Sequence, residues 1–142
     1  MTLRVELVVP EGEVWAGPAE MVIAKTLDGD IGVLTGHTPV LGILVEGSVV
    51  RIMPEGVPDA AAGGEVVAAV NGGFFSVADD RVSILARQAQ LGGGVDTKAA
   101  QAALDEALQQ AEASGSGGDG EPADVRYFRA LLRAAGNPAD RA

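Results

Sequence analysis

His37 is the only histidine in this 142-residue chain, set between Gly36 and Thr38-Pro39. An imidazole suits proton transfer or metal ligation, but either role needs partners at workable spacing. Asp28 and Asp30, just upstream, do not complete a ligand set. Cysteine is absent, which excludes thiolate nucleophiles, thiolate metal sites and disulfides. No serine occupies a nucleophile elbow, and no carboxylate pair stands out among the 20 acidic residues. Gly92-Gly93-Gly94 lacks the neighbouring Lys and Ser/Thr of a phosphate loop. The chemistry-bearing residues therefore describe no catalytic centre and no metal site. His37 reads as a strand-end histidine bonded to backbone or to a partner protein.

Charge narrows the partners. The formal net charge of −10 argues against nucleic acid, whose phosphates need a basic surface. Residues 1–122 carry six basic and eighteen acidic side chains (net −12), whereas residues 123–142 carry four and two (net +2). Arg126, Arg129 and Arg133 recur at spacings of three and four, which puts them on one stripe of a helix. A basic tail on an acidic body favours contact with an acidic surface, its own or a partner's; a solvated helix face is the plainer alternative.

The elements that would position these residues fall into two parts. Leu3, Val5, Leu7 and Val9 alternate with Arg4 and Glu6, the period of a strand with one buried face. Short strand-like runs follow at 13–18, 20–27, 31–34, 42–45, 48–53, 65–70, 74–77 and 81–85, nearly all separated by Gly or Pro turns. Many short strands at close spacing predict a β-sandwich or barrel. Residues 54–64 read as a loop, and Asn71-Gly72-Gly73 as a hairpin turn. Phe74 and Phe75, being adjacent, must face opposite sides of a strand, so one of them is a candidate interface residue.

After Leu85 the pattern changes. Residues 91–95 read as a glycine hinge, and from Asp96, a plausible N-cap, the composition turns to helix formers. Ala100, Ala103, Leu104, Ala107, Leu108 and Ala111 form one weak apolar stripe. Residues 114–122 read as a flexible connector, and 123–135 as a second amphipathic helix with Val125, Phe128, Leu131, Leu132 and Ala135 inward. The predicted organisation is a β-sandwich domain over 1–90, a hinge over 91–95 and a two-helix αα-hairpin over 96–142. No apolar run approaches the ~18 residues that span a bilayer, and the charged, alternating N-terminus does not read as a secretory signal.

From the residues alone, Gly32, Gly36 and Gly72-Gly73 are turn glycines. A free-standing sandwich that binds peptide or carbohydrate stays open, although one Trp, one Tyr and three Phe give little for sugar stacking. The ordered set Leu3-x-Val5-x-Leu7-Val8-Val9-Pro10-Glu11, Val14-Trp15-x-Gly17, Gly29-x-Ile31-Gly32-Val33-Leu34-x-Gly36-His37-x-Pro39, Gly47, Val70-x-Gly72-Gly73-Phe74-Phe75-x-Val77 and Val82-x-Ile84-Leu85-Ala86 resembles the epsilon subunit of the bacterial F-type ATP synthase. That resemblance covers roughly the first 86 residues; the tail matches it in position more than in sequence.

The resemblance implies about ten strands joined to an αα-hairpin, in a non-catalytic rotor subunit that couples proton flow to ATP synthesis. It implies peripheral attachment at the cytoplasmic face of the cell membrane, through the complex. By position, Gly36, His37 and Thr38 would face the gamma subunit, and Asp30 and Ile31 the c-ring. The helical tail would reach the catalytic head of alpha and beta subunits transiently and brake hydrolysis, with Arg126, Arg129 and Arg133 meeting acidic segments of beta.

Some members of that family bind ATP at the hairpin through aliphatic-Asp-x-x-Arg-Ala with a glutamate six residues before the Asp. Here Val95-Asp96-Thr97-Lys98-Ala99-Ala100 carries Ala99 in place of the arginine, and Gln90 in place of the glutamate. Asp96 and Lys98 remain as a degenerate nucleotide pair, but Lys98 points about 100° away from the arginine position. The expectation is weak or absent ATP binding, no other cofactor, and a mobile hairpin that inhibits weakly.

Overall fold

Leu3, Val5 and Leu7 are fully buried in strand β1 (Leu3–Val9) of the computed structural model of the chain, which describes residues 2–56, 65–113 and 122–136. Arg4 between them is exposed, as period-two alternation requires. Six strands follow: β2 (Gly12–Thr26), β3 (Gly29–Leu34), β4 (Val40–Pro54), β5 (Val66–Ala78), β6 (Arg81–Ala86) and β7 (Ala89–Leu91). A 3-10 turn over Gly92–Gly94 leads to helix α1 (Thr97–Ala113), and α2 (Ala123–Ala134) comes last.

Pairing runs β1-β6-β5-β4-β2-β3, with β7 added to β5 and β2 returning to pair with β1. Early β2 pairs with β1, and late β2 with β3 and β4. Early β5 pairs with β7, and late β5 with β6. The long strands thus serve two layers, which enclose a core containing Leu3, Leu7, Leu44, Ile52, Phe75 and Ile84. Phe75 is buried and Phe74 is exposed, the opposed facing that adjacency demands.

Where about ten strands are expected, the described residues form seven. The runs 13–18 and 20–27 merge into β2, 42–45 and 48–53 into β4, and 65–70 and 74–77 into β5. In β4 and β5 the glycines between the runs bend the strands without ending them. Gly47 (φ 70°) sits where the β4–β5 register shifts between Glu46 and Ser48, and Gly72 (φ 77°) and Gly73 (φ 130°) continue β5. Asn71-Gly72-Gly73 is therefore a bend within a strand, not a hairpin turn. Of Gly32 and Gly36, Gly36 alone has a positive φ, at 85°. The loop expected over 54–64 begins as the end of β4 and a turn at Glu55–Gly56; its remainder, like the connector over 114–121, lies outside the described residues.

Helix α2 packs on the outer face of late β4 and early β5, where Val49, Val67 and Ala69 join Val125, Ala130, Leu131 and Leu132 in a second apolar cluster. Tyr127 and Ala134, outside the expected apolar stripe, are buried as well. Helix α1 contributes Ala100, Leu104 and Ala107 to that cluster, packing on α2, while Leu108 remains partly exposed. Asp96 Oδ1 accepts the Ala99 N–H at 3.1 Å, the expected N-cap.

The expected hinge over 91–95 has a defined local geometry. Gly92–Gly94 forms a turn closed by the Val95 N–H on the Gly92 carbonyl (3.2 Å), and Gln90 Nε2 donates to the Gly94 carbonyl at 2.8 Å. In this structure the hairpin packs on the sandwich through α2.

Candidate interaction surface

Among the described residues, no element packs on the outer face of the opposite layer. Cross-strand register places Ile43 beside Phe74, Phe74 beside Leu85, and Leu85 beside Val8, so one apolar row crosses β4, β5, β6 and β1. Ile43 is 51% exposed, Phe74 55% and Leu85 48%; Leu41, two residues before Ile43 on the same face, is 73% exposed. Leu85 follows buried Ile84 just as Phe74 precedes buried Phe75, because each strand turns every second side chain outward. The row borders an open groove of about 500 Å³ lined by Val8, Pro10, Ile43, Phe74, Leu85 and Arg87 among others. The neighbouring row is more polar: Leu41 is followed by Ser76, Ser83 and Glu6, with Ser83 Oγ donating to Glu6 Oε1 at 3.0 Å. Contiguous apolar side chains beside a polar rim are the composition of a protein-binding face.

The Gly36 corner adjoins this face through Val40 and Leu41. The Gly36 N–H donates to Asp80 Oδ1 at 2.6 Å, which ties the corner to the β5–β6 turn. The His37 N–H donates to the Leu34 carbonyl (3.1 Å), and its Nδ1–H to the Thr38 carbonyl (2.6 Å). His37 is half-buried and Thr38 exposed. The imidazole is thus bonded to backbone, and no group of three or more His, Asp or Glu able to hold a metal occurs among the described residues.

The other residues singled out by sequence divide differently. Asp30 is exposed on β3 opposite Lys25, whereas Ile31 packs against the sandwich core. Asp30 shares a polar groove of about 340 Å³ with Lys25, Arg51, Glu46, Arg126 and Arg133. The fold therefore brings Asp30 and two of the basic-stripe arginines together. Arg126 Nη2 lies 3.6 Å from Glu46 Oε2, and Arg87 Nη2 donates to Glu46 Oε1 at 2.7 Å. These pairs are partly exposed, so solvent screening leaves each a modest weight. Arg129 is half-buried, Lys98 is exposed, and the Asp96 carboxylate is engaged in capping α1.

Sequence reasoning anticipated an exposed member of the Phe74/Phe75 pair but missed the row. The signal was present in Val40-Leu41-Gly42-Ile43-Leu44-Val45, a run apolar on both faces, which marks a strand whose two sides both need cover.

A family model described as the β-sandwich domain of the ATP synthase delta/epsilon chain matches residues 2–92. The ATP synthase epsilon chain of Thermobifida fusca is 51% identical over 135 residues, covering 94% of this chain and 91% of the relative. That of Streptomyces griseus is 44% identical over 131 residues, covering 92% and 97%. Among solved structures, a chain of the Euglena gracilis mitochondrial ATP synthase (OSCP/F1/c-ring, rotational state 1) superposes with a TM-score of 0.65 at 22% identity, covering 92% of this chain and 75% of that one. A chain of the Tetrahymena thermophila mitochondrial ATP synthase central stalk and c-ring gives 0.54 at 16% identity, covering 90% and 94%. At those identities the two structures speak to the fold.

The opposed facing of the phenylalanines has a direct test. Phe75→Ala should destabilise the isolated chain by about 3–5 kcal/mol, as a buried aromatic does. Phe74→Ala should cost under about 1 kcal/mol. Urea midpoints measure both, and equal losses would mean that Phe74 is covered within the chain itself.

Proposed function

Because the chain belongs to the ATP synthase epsilon-chain family, we propose that it is a non-catalytic subunit of the rotating central stalk, held against the gamma subunit by the bare face of its sandwich. The carrying observation is the Ile43–Phe74–Leu85–Val8 row, which leaves large side chains in water on the isolated chain. Covering them releases the hydration cost, about 25 cal/mol per Å² of apolar area, and partner complementarity converts that into affinity. The adjoining Gly36-His37-Thr38 corner, fixed to Asp80, supplies polar contacts at the rim of the same interface.

The exposed end of β3 with Asp30 serves as the c-ring-facing edge, and Ile31 supports it from the core side. Attachment to the cytoplasmic face of the membrane is peripheral and goes through the complex; no helix of the described residues is long and apolar enough to cross a membrane. Arg126, Arg129 and Arg133 meet acidic segments of the beta subunit only when the hairpin leaves the sandwich, since Arg126 otherwise faces Glu46. Salt should weaken that contact with the head, as it does other exposed charge pairs.

ATP binding at the hairpin is weak or absent. Ala99 offers no cation, Gln90 is spent on the Gly94 carbonyl, and Asp96 caps α1. Calorimetric titration of the isolated chain with Mg-ATP should give no saturable heat in the micromolar range; a micromolar dissociation constant would refute this part.

The docking claim predicts that the double variant Ile43→Asp/Phe74→Asp binds a catalytic head carrying gamma at least about tenfold more weakly than the parent, or about 1.4 kcal/mol. His37→Ala, at the rim, should cost less. Undiminished affinity of the double variant, with its circular dichroism unchanged, would remove the bare face from the interface.

A further inference from the structure

Three glycines in a row look like a flexible joint, yet they occupy unlike positions. A Cβ built on Gly92 would fall on the Ala134 carbonyl oxygen, 2.6 Å from the carbonyl carbon and 3.3 Å from the Ala135 nitrogen. These are backbone atoms at the last turn of α2, so they cannot step aside as a flexible side-chain end can. A Cβ on Gly93 or Gly94 would meet nothing within 4 Å. None of the three has a positive φ, so alanine fits the backbone at each. Glycine at 92 is demanded by α2 alone.

A second seat lies near the other end of the helix. At Gly47 a Cβ would stand 2.5 Å from the Arg126 carbonyl carbon and 2.7 Å from the Tyr127 nitrogen. The two contacts fall on residues 126–127 and 134–135, about 12 Å apart along a helix rising 1.5 Å per residue. One close contact would let the helix pivot; two fix its angle as well as its distance. Between them Ala130 and Leu132 reach 0% exposure, as does Val125 just before the first contact.

We infer that the docked pose of the hairpin is keyed by these two side-chain-free seats, and that Gly92, not the glycine run as a whole, is the residue that admits the end of α2. The device is steric: any side chain at 92 lifts the last turn of α2 from the sandwich and opens the apolar contacts behind it. It follows from packing within the chain and does not depend on the central-stalk assignment.

Gly92→Ala and Gly93→Ala in the full chain separate this from a flexibility effect, because both remove one glycine's freedom from the unfolded chain equally. Amide hydrogen exchange resolved by peptide should show residues 125–134 of Gly92→Ala exchanging at least about tenfold faster than in the parent. The β5 and β6 amides should keep their protection, and Gly93→Ala should match the parent throughout. Equal acceleration in the two variants would make the run a hinge and overturn the inference. So would unchanged exchange in Gly92→Ala, or a loss spread equally over sandwich and hairpin.

Discussion

Strands β4 and β5 stay paired from Val40–Val77 to Ile52–Val66 while both pass from one layer into the other. The rest of the structure depends on their bending together. Gly47 lies at the register shift on β4, opposite Asn71 and Val70, and Gly72 and Gly73 follow directly on β5, with Gly73 paired to Leu44, so both strands turn within a few residues. A Cβ on Gly73 would collide with the Leu85 carbonyl and the Ala86 Cα, which shows how closely β6 follows the turn. On one side of the bend the pair turns Leu41, Ile43 and Phe74 outward; on the other it turns Val49, Val67 and Ala69 outward. One ribbon thereby makes two apolar outer faces. The chain's own helix covers the second, and the first stays exposed.

Charge acts on this frame as an adjustment. The basic end of the chain meets the acidic body at Glu46, which lies between Arg87 and Arg126 one residue before the Gly47 seat. Exposed pairs of this kind contribute at most about 1 kcal/mol, far less than burying the α2 side chains. Packing therefore holds the hairpin, and the ion pairs orient Arg126 toward the sandwich. An outside acidic surface that drew Arg126 in that pose would compete with Glu46.

Much of the fold was legible in the sequence because period-two alternation and helical spacing follow from backbone geometry alone. Leu3, Val5 and Leu7 declared a one-sided strand, and the Asp96 cap declared the start of α1. Strand number was not legible, since a glycine at 47 or 72–73 suits a turn and a bulge equally and only pairing decides between them. The hairpin's pose was hidden for a related reason. Apolar spacing marked one stripe of α2, whereas Tyr127, Ala130 and Ala134 are buried because the helix is enclosed on several sides. For the site, the family resemblance drew attention to Gly36-His37, while the bare row was obscured by strands apolar on both faces.

The central claim is that the Ile43–Phe74–Leu85 face is the surface by which this chain joins its complex. Hydroxyl-radical footprinting of the free chain and of the assembled ATP synthase, read by mass spectrometry, tests it most directly. The account predicts that Phe74 and Leu41 are oxidised readily in the free chain and strongly protected after assembly, while exposed Leu27, outside the row, changes less. Equal oxidation of Phe74 in the free and assembled states would contradict it.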